Sequence, residues 1–117
     1  MEPVQTVPIL LVFTQMPDAA SAELLAETLV TEQLAACVSV LPAVRSVYRW
    51  QGALERAEEV PLLIKTTAAR YAALEAAIRV RHPYELPEIL AVPVTHGLPD
   101  YLMWVANEVT LETTCRT

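Results

Sequence analysis

The sequence predicts an α+β fold in which helices are laid against an antiparallel sheet. Three observations predict it. Apolar or alternating runs of strand length recur along the chain, two stretches between them carry apolar residues at helical spacing, and turn residues separate the pieces. The length of 117 residues suits one domain and leaves no room for two ordinary ones, so residues 1-117 read as a single domain.

Residues 7–16, VPILLVFTQM, form a continuous apolar run, expected as a central strand buried on both faces. Pro17-Asp18 breaks it, with Asp18 as the N-cap of a first helix. Ala22, Leu25, Ala26 and Leu29 recur there at helical spacing while Glu23, Glu27 and Glu32 turn elsewhere, giving an amphipathic helix of about 15 residues. Ala36 to Val40 is another apolar run. After Pro42 the chain alternates: Val44, Ser46, Tyr48 and Trp50 point one way, Arg45, Val47, Arg49 and Gln51 the other. Gln51-Gly52 supplies a turn, since Gly52 can take positive φ. Residues 54–67 return as a strand, where Pro61 implies a bulge or an edge position because it cannot donate to a ladder.

Residues 68–82 give the second helix, with Tyr71, Leu74 and Ile78 on one face, and Pro83 ends it at His82. Ile89 to Val94 is a short last strand. Asp100 to Val109 closes as a helix with Tyr101, Leu102, Val105 and Val109 as its apolar stripe. The order strand, helix, strand, strand, helix, strand is the split βαβ plan: a ferredoxin-like βαββαβ sandwich with a long hairpin between the second and third strands and a C-terminal helix.

Composition narrows the function. The net charge is -6, and no stretch of the eight cations builds a basic face, which argues against nucleic-acid binding. The N-terminal apolar run from Ile9 to Phe13 is too short for a signal peptide or a membrane span, so a cytoplasmic protein with no membrane partner is expected. Cys37 and Cys115 make no disulfide framework, and Cys115 is expected exposed in a polar tail. A hydrophobic fraction of 54% is high for so small a chain even after its 17 alanines are discounted, so a subunit interface is the natural place for the surplus.

The densest polar constellation is His82-Pro83-Tyr84-Glu85-Leu86-Pro87-Glu88. Its imidazole and two carboxylates could chelate a divalent ion, or His82 could serve the helix dipole while the glutamates are solvated. Cys37, in Leu34-Ala35-Ala36-Cys37-Val38, reads as a small buried hydrophobe, with a soft-metal ligand or redox thiol as the alternative. Lys65 is the only lysine, and an ion pair with Glu59 or an anion site would account for it. Tyr48 and Trp50 suit an interface first, a core or a stacking platform otherwise. His96 reads as solvated. No nucleophile elbow, Walker loop, C-x-x-C or H-E-x-x-H motif occurs, so no enzyme activity is expected.

From about Ile9 to Asn107 the chain resembles the CutA family, named for divalent-cation tolerance. The resemblance rests on Leu34-Ala35-Ala36-Cys37-Val38, Ser46-Val47-Tyr48-Arg49-Trp50-Gln51-Gly52, Glu59, Lys65-Thr66, His82-Pro83-Tyr84-Glu85, Pro87-Glu88-Ile89 and Tyr101-Leu102-Met103-Trp104. It implies a ferredoxin-like subunit in a homotrimer whose hairpin strands join neighbouring sheets. It also implies association with Cu(II) or another divalent cation, without an organic cofactor or an established enzyme activity. Family copper ligands include a cysteine at the end of the first strand and paired histidines before the Pro-Tyr. Thr14 and Arg81-His82 stand at those places, so His82 and Cys37 are the metal candidates.

The leading reading is therefore a trimeric divalent-cation tolerance protein that responds to metal ions and binds them weakly through His82 and nearby oxygens. An alternative is a small-molecule sensor resembling the PII proteins, taking an anionic metabolite in inter-subunit clefts lined by Lys65, Tyr84, Glu85, Glu59, Tyr48 and Trp50. A scaffold that holds partners on a rigid trimer is a third.

Overall fold

The computed structural model describes residues 7–111, so the expectation for Cys115 lies outside the described residues. The first apolar run forms β1 (Ile9–Met16). In α1 (Ala19–Thr31) the Asp18 carboxylate accepts the Ser21 N–H at 2.8 Å as N-cap. That bond, with a second from the Ser21 side chain, holds the Asp18 carboxyl below its ordinary value. β2 (Cys37–Val40), β3 (Val44–Trp50) and β4 (Ala53–Thr67) come next, then α2 (Ala68–Arg81), β5 (Leu90–Pro93) and α3 (Pro99–Val109). Thr67 caps α2 by accepting the Arg70 N–H.

The sheet is antiparallel with order β2-β4-β1-β5, and β3 also pairs with β4. This is the ferredoxin-like order, with one strand more than expected because the second arm is broken into β2 and β3. Val40 stands opposite Leu62 and Val44 opposite Glu59, so residues 41–43 face only residues 60–61: one extra residue, a bulge. Pro61 explains its place. The Pro61 carbonyl accepts the Leu41 N–H at 3.0 Å, and the donor that Pro61 lacks would have faced the same break. The bulge expected from Pro61 therefore lies on the facing strand. The edge position is corrected: β4 is flanked on its other side by β1, with Gln15 opposite Pro61.

On one face of the sheet Val12, Met16, Val60, Leu62 and Ile64 pack under Ala22, Leu25, Leu29, Leu74 and Ile78 of α1 and α2. On the other, α3 sets Val105, Ala106 and Val109 against Ile9 and Ala36 at one end. Burial of β1 on both faces is thus corrected. Leu11 and Phe13 are only half-buried, and Leu90 and Val92 on the neighbouring strand are exposed, because α3 does not reach across this face. Tyr101, expected in the buried stripe of α3, is also exposed.

β3 and residues 53–59 of β4 run on beyond β1, which ends opposite Val60. A two-residue turn closes this hairpin, with φ of 51° at Gln51 and 83° at Gly52, both in the left-handed region that a type I′ turn requires. Val44, Val47, Tyr48 and Leu54 lie exposed along it. The radius of gyration, 16.1 Å, exceeds the ~13.4 Å of a compact chain this long, as a projecting arm requires.

Candidate functional site

The hairpin and the loop after α2 wall a cleft of about 770 Å³. Pro83 stops α2 at Arg81 and leaves His82 as an extended C-cap. The His82 side chain is buried, with Nε2 2.6 Å from the Gln15 carbonyl oxygen and Nδ1 accepting the Tyr84 N–H at 3.2 Å. A carbonyl only accepts, so Nε2 carries the proton and the ring is the neutral tautomer with both nitrogens engaged. The imidazole also packs on the Tyr84 ring, with centroids 4.8 Å apart. His82 thereby pins the loop to the end of β1 and fixes Tyr84 in the cleft wall.

Tyr84 faces Glu59. Burial first, then the Glu59 carboxylate as charge and hydrogen-bond partner, raise the Tyr84 hydroxyl above 10.0. Glu59 is itself only 9% exposed. Among the described residues the one ion pair joins Arg81 to Glu32 at 3.6 Å, so no cation neutralises Glu59. Gln15 donates from Nε2 to Glu88 at 3.0 Å, and its buried Oε1 has no partner among the described residues.

Of the residues expected to line a cleft between subunits, Tyr48, Trp50, Glu59, Tyr84 and Glu85 line this cleft within one chain, alongside Gln15, Ser46, Val47, Arg49, Leu86 and Glu88. Lys65 does not. It stands six residues from Glu59 along β4, roughly 20 Å at strand rise, so the expected ion pair between them is corrected. Its Nζ lies 4.0 Å from Cys37 Sγ and 6.0 Å from the centre of the Tyr101 ring. Cys37 is consequently half-buried beside an ammonium group, rather than enclosed as a small hydrophobe. His96 is exposed. Gln15 was legible as a candidate only as the one amide inside an apolar strand run, a weak signal.

A copper centre within one subunit does not fit these residues. Both His82 nitrogens are engaged, Cys37 faces Lys65 at the other end of the sheet, and Thr14 is fully buried on the helix side of β1. Among the described residues no group of three or more His, Cys, Asp or Glu side chains converges on a point that could hold a metal.

Residues 10–108 match the family of CutA1 divalent ion tolerance proteins. The divalent-cation tolerance protein CutA of Citrobacter koseri is 46% identical over 89 residues, 76% of this chain and 77% of that protein. The crystal structure of CutA from Xylella fastidiosa is 47% identical, with a TM-score of 0.84 over 87% of this chain and 98% of that one. CutA1 from Oryza sativa is 34% identical, with a TM-score of 0.87 over 92% and 98%. With its ferredoxin-like sheet order and its long hairpin, this chain belongs to the CutA1 divalent ion tolerance family.

Proposed function

We propose that the chain serves divalent-cation tolerance as a homotrimer, with the cleft between hairpin and loop as its functional surface. The observation that carries this reading is the hairpin beyond β1. Its β4 arm, from Ala53 to Glu59, has a ladder partner on one side only among the described residues, and exposed Val44, Val47 and Leu54 accompany it. Such an edge invites pairing with another copy. The half-covered sheet face at Leu11, Phe13, Leu90 and Val92 adds apolar area. The accessible surface of 7767 Å² exceeds the roughly 6,300 Å² of a folded monomer of this mass, an excess near that of two standard subunit contacts.

In this reading Cu(II) and related ions are met weakly, by solvent-facing oxygens such as those of Glu85, and are not held in a centre built on His82 and Cys37. The cleft carries Glu59, Glu85 and Glu88 against the single Arg49, which disfavours the anionic metabolite of a PII-like sensor. The experiment is a Cu(II) titration of the metal-free protein with its mass in solution measured alongside. A trimer binding copper more weakly than micromolar is expected. A monomer at working concentration refutes the assembly, and micromolar or tighter binding at one site per subunit refutes the weak-metal reading.

A further inference from the structure

We propose that α3 is a flap, clasped shut by Gln33 and pivoting on the link at Gly97, that opens without the rest of the chain unfolding. Its attachment sets it apart from the other elements. The buried side chains of α3, Val105, Ala106 and Val109, form a small cluster with Ile9 and Ala36, separate from the core that α1 and α2 cover. Among the described residues no side chain caps its N-terminus. One side-chain hydrogen bond ties it to another element among those residues, from Gln33 Nε2 to the Glu108 carbonyl at 3.3 Å. A segment with few buried apolar contacts and few tethers stands at the low end of local stability.

The clasp is held by an unusual backbone. Gln33 has a φ of 58°, in the left-handed region, and the Leu34 N–H returns to the Leu29 carbonyl at 2.9 Å to end α1. Glycine or asparagine takes that conformation more readily. A residue kept there against its preference points to a use for its side chain, and this side chain is the one bonded to α3. The Gln33 carbonyl accepts the Arg70 Nε–H at 3.2 Å, so one residue joins the end of α1, the start of α2 and the last turn of α3. At the other end, Gly97 lies in the link between β5 and α3. A Cβ there would meet Leu102 Cδ2 at 2.9 Å, which confines the link to the residue with the widest backbone freedom. Release of Glu108 and rotation at this link carry α3 away from Ile9 and Ala36. The same motion lifts the Tyr101 ring off Lys65, whose ammonium sits 6.0 Å from the ring centre and 4.0 Å from Cys37 Sγ. The flap thereby governs how far the Lys65–Cys37 pair is open to solvent.

The test is amide hydrogen exchange on the full chain in its native assembly, with the mass in solution recorded for each sample. Amides of α3 from Leu102 onward are expected to exchange well ahead of those of β1 and β4. Gln33→Gly keeps the left-handed turn and its carbonyl but removes the clasp. It should speed exchange in α3 about fivefold, one hydrogen bond's share of an equilibrium constant, and leave β1 and β4 within about twofold of the parent. Gln33→Asn also suits the turn but is one methylene short of Glu108, so it should behave as Gln33→Gly does. The proposal is overturned if α3 exchanges in step with β1 and β4, if Gln33→Gly speeds all three alike, or if neither variant changes α3. It is also overturned if α3 is protected in the assembly and opens only on dilution to a monomer, since a neighbouring copy then holds it. A chain that is monomeric throughout, with α3 opening early and faster in both variants, would end the assembly reading and leave this one standing.

Discussion

Replacing His82 by alanine separates a structural imidazole from a metal ligand. In the parent the ring donates to the Gln15 carbonyl at 2.6 Å, accepts the Tyr84 N–H at 3.2 Å, and packs on the Tyr84 ring. Alanine removes all three contacts and leaves two backbone groups in a nearly closed site without partners. Each such group costs about 1–3 kcal/mol, so the loss sums to roughly 2–6 kcal/mol. For a chain of this length 1 kcal/mol corresponds to about 4 °C, so Tm should fall by roughly 8–24 °C. Differential scanning calorimetry at fixed protein concentration measures it, and a parallel Cu(II) titration should show little change from the weak binding of the parent. A Tm within about 2 °C of the parent would refute the latch argument, because bonds of this geometry cannot be lost so cheaply. Loss of copper binding with Tm unchanged would return His82 to the role of ligand.

Thr14 is fully buried and its hydroxyl has no partner among the described residues, so Thr14→Val should raise stability by about 1–2 kcal/mol, or roughly 4–8 °C in Tm; a fall would mean that the hydroxyl is bonded. Leu54→Lys, at a position 64% exposed in the single chain, should change the subunit's own stability by less than about 0.5 kcal/mol yet lower the solution mass at dilute concentration; an unchanged mass refutes a contact there. Tyr84 titrates above 10.0 in the folded chain, so the stability its neutral form contributes is present below that pH and is lost as pH rises through the folded value. Ultraviolet titration of Glu59→Gln should find this tyrosine shifted downward, though only part of the way, because burial is the larger cause; an unmoved curve refutes the contact between them.

Much of the fold was legible because its elements are locally determined. The Asp18 cap, the Leu74 and Ile78 stripe, the Pro83 stop and the Gln51-Gly52 turn each depend on residues within one turn of helix or strand. The features that escaped depend on partners distant in sequence. Pro61 signals a missing donor, but only the facing strand shows that the irregularity is taken up at residues 41–43. Lys65 and Glu59 suggest a pair by charge alone, and the five residues of extended strand between them forbid it. Tyr48, Trp50, Glu59, Tyr84 and Glu85, expected along an inter-subunit cleft by likeness to the PII proteins, share a cleft within one chain. The part of His82 as a latch was not legible, since nothing local announces the Gln15 carbonyl it meets.

The single extra residue opposite Pro61 connects these observations. In β2, Cys37 and Ser39 stand opposite Lys65 and Leu63, so odd-numbered residues there share a face with odd-numbered residues of β4. Past the bulge the parity reverses, and Ser46, Tyr48 and Trp50 stand opposite Ala57, Glu55 and Ala53. Even-numbered residues of β3 therefore share the face of Glu59 and of Pro61, whose neighbour across the ladder is Gln15. In unbroken register Arg45, Val47 and Arg49 would occupy that face, with Arg45 opposite Ala57 and Arg49 opposite Ala53 beside the hairpin turn. The bulge instead sends the aromatic side chains there. A proline that cannot donate to its neighbour is thus met by one extra residue on the facing strand, and that residue decides which side chains of β3 share a face with Glu59.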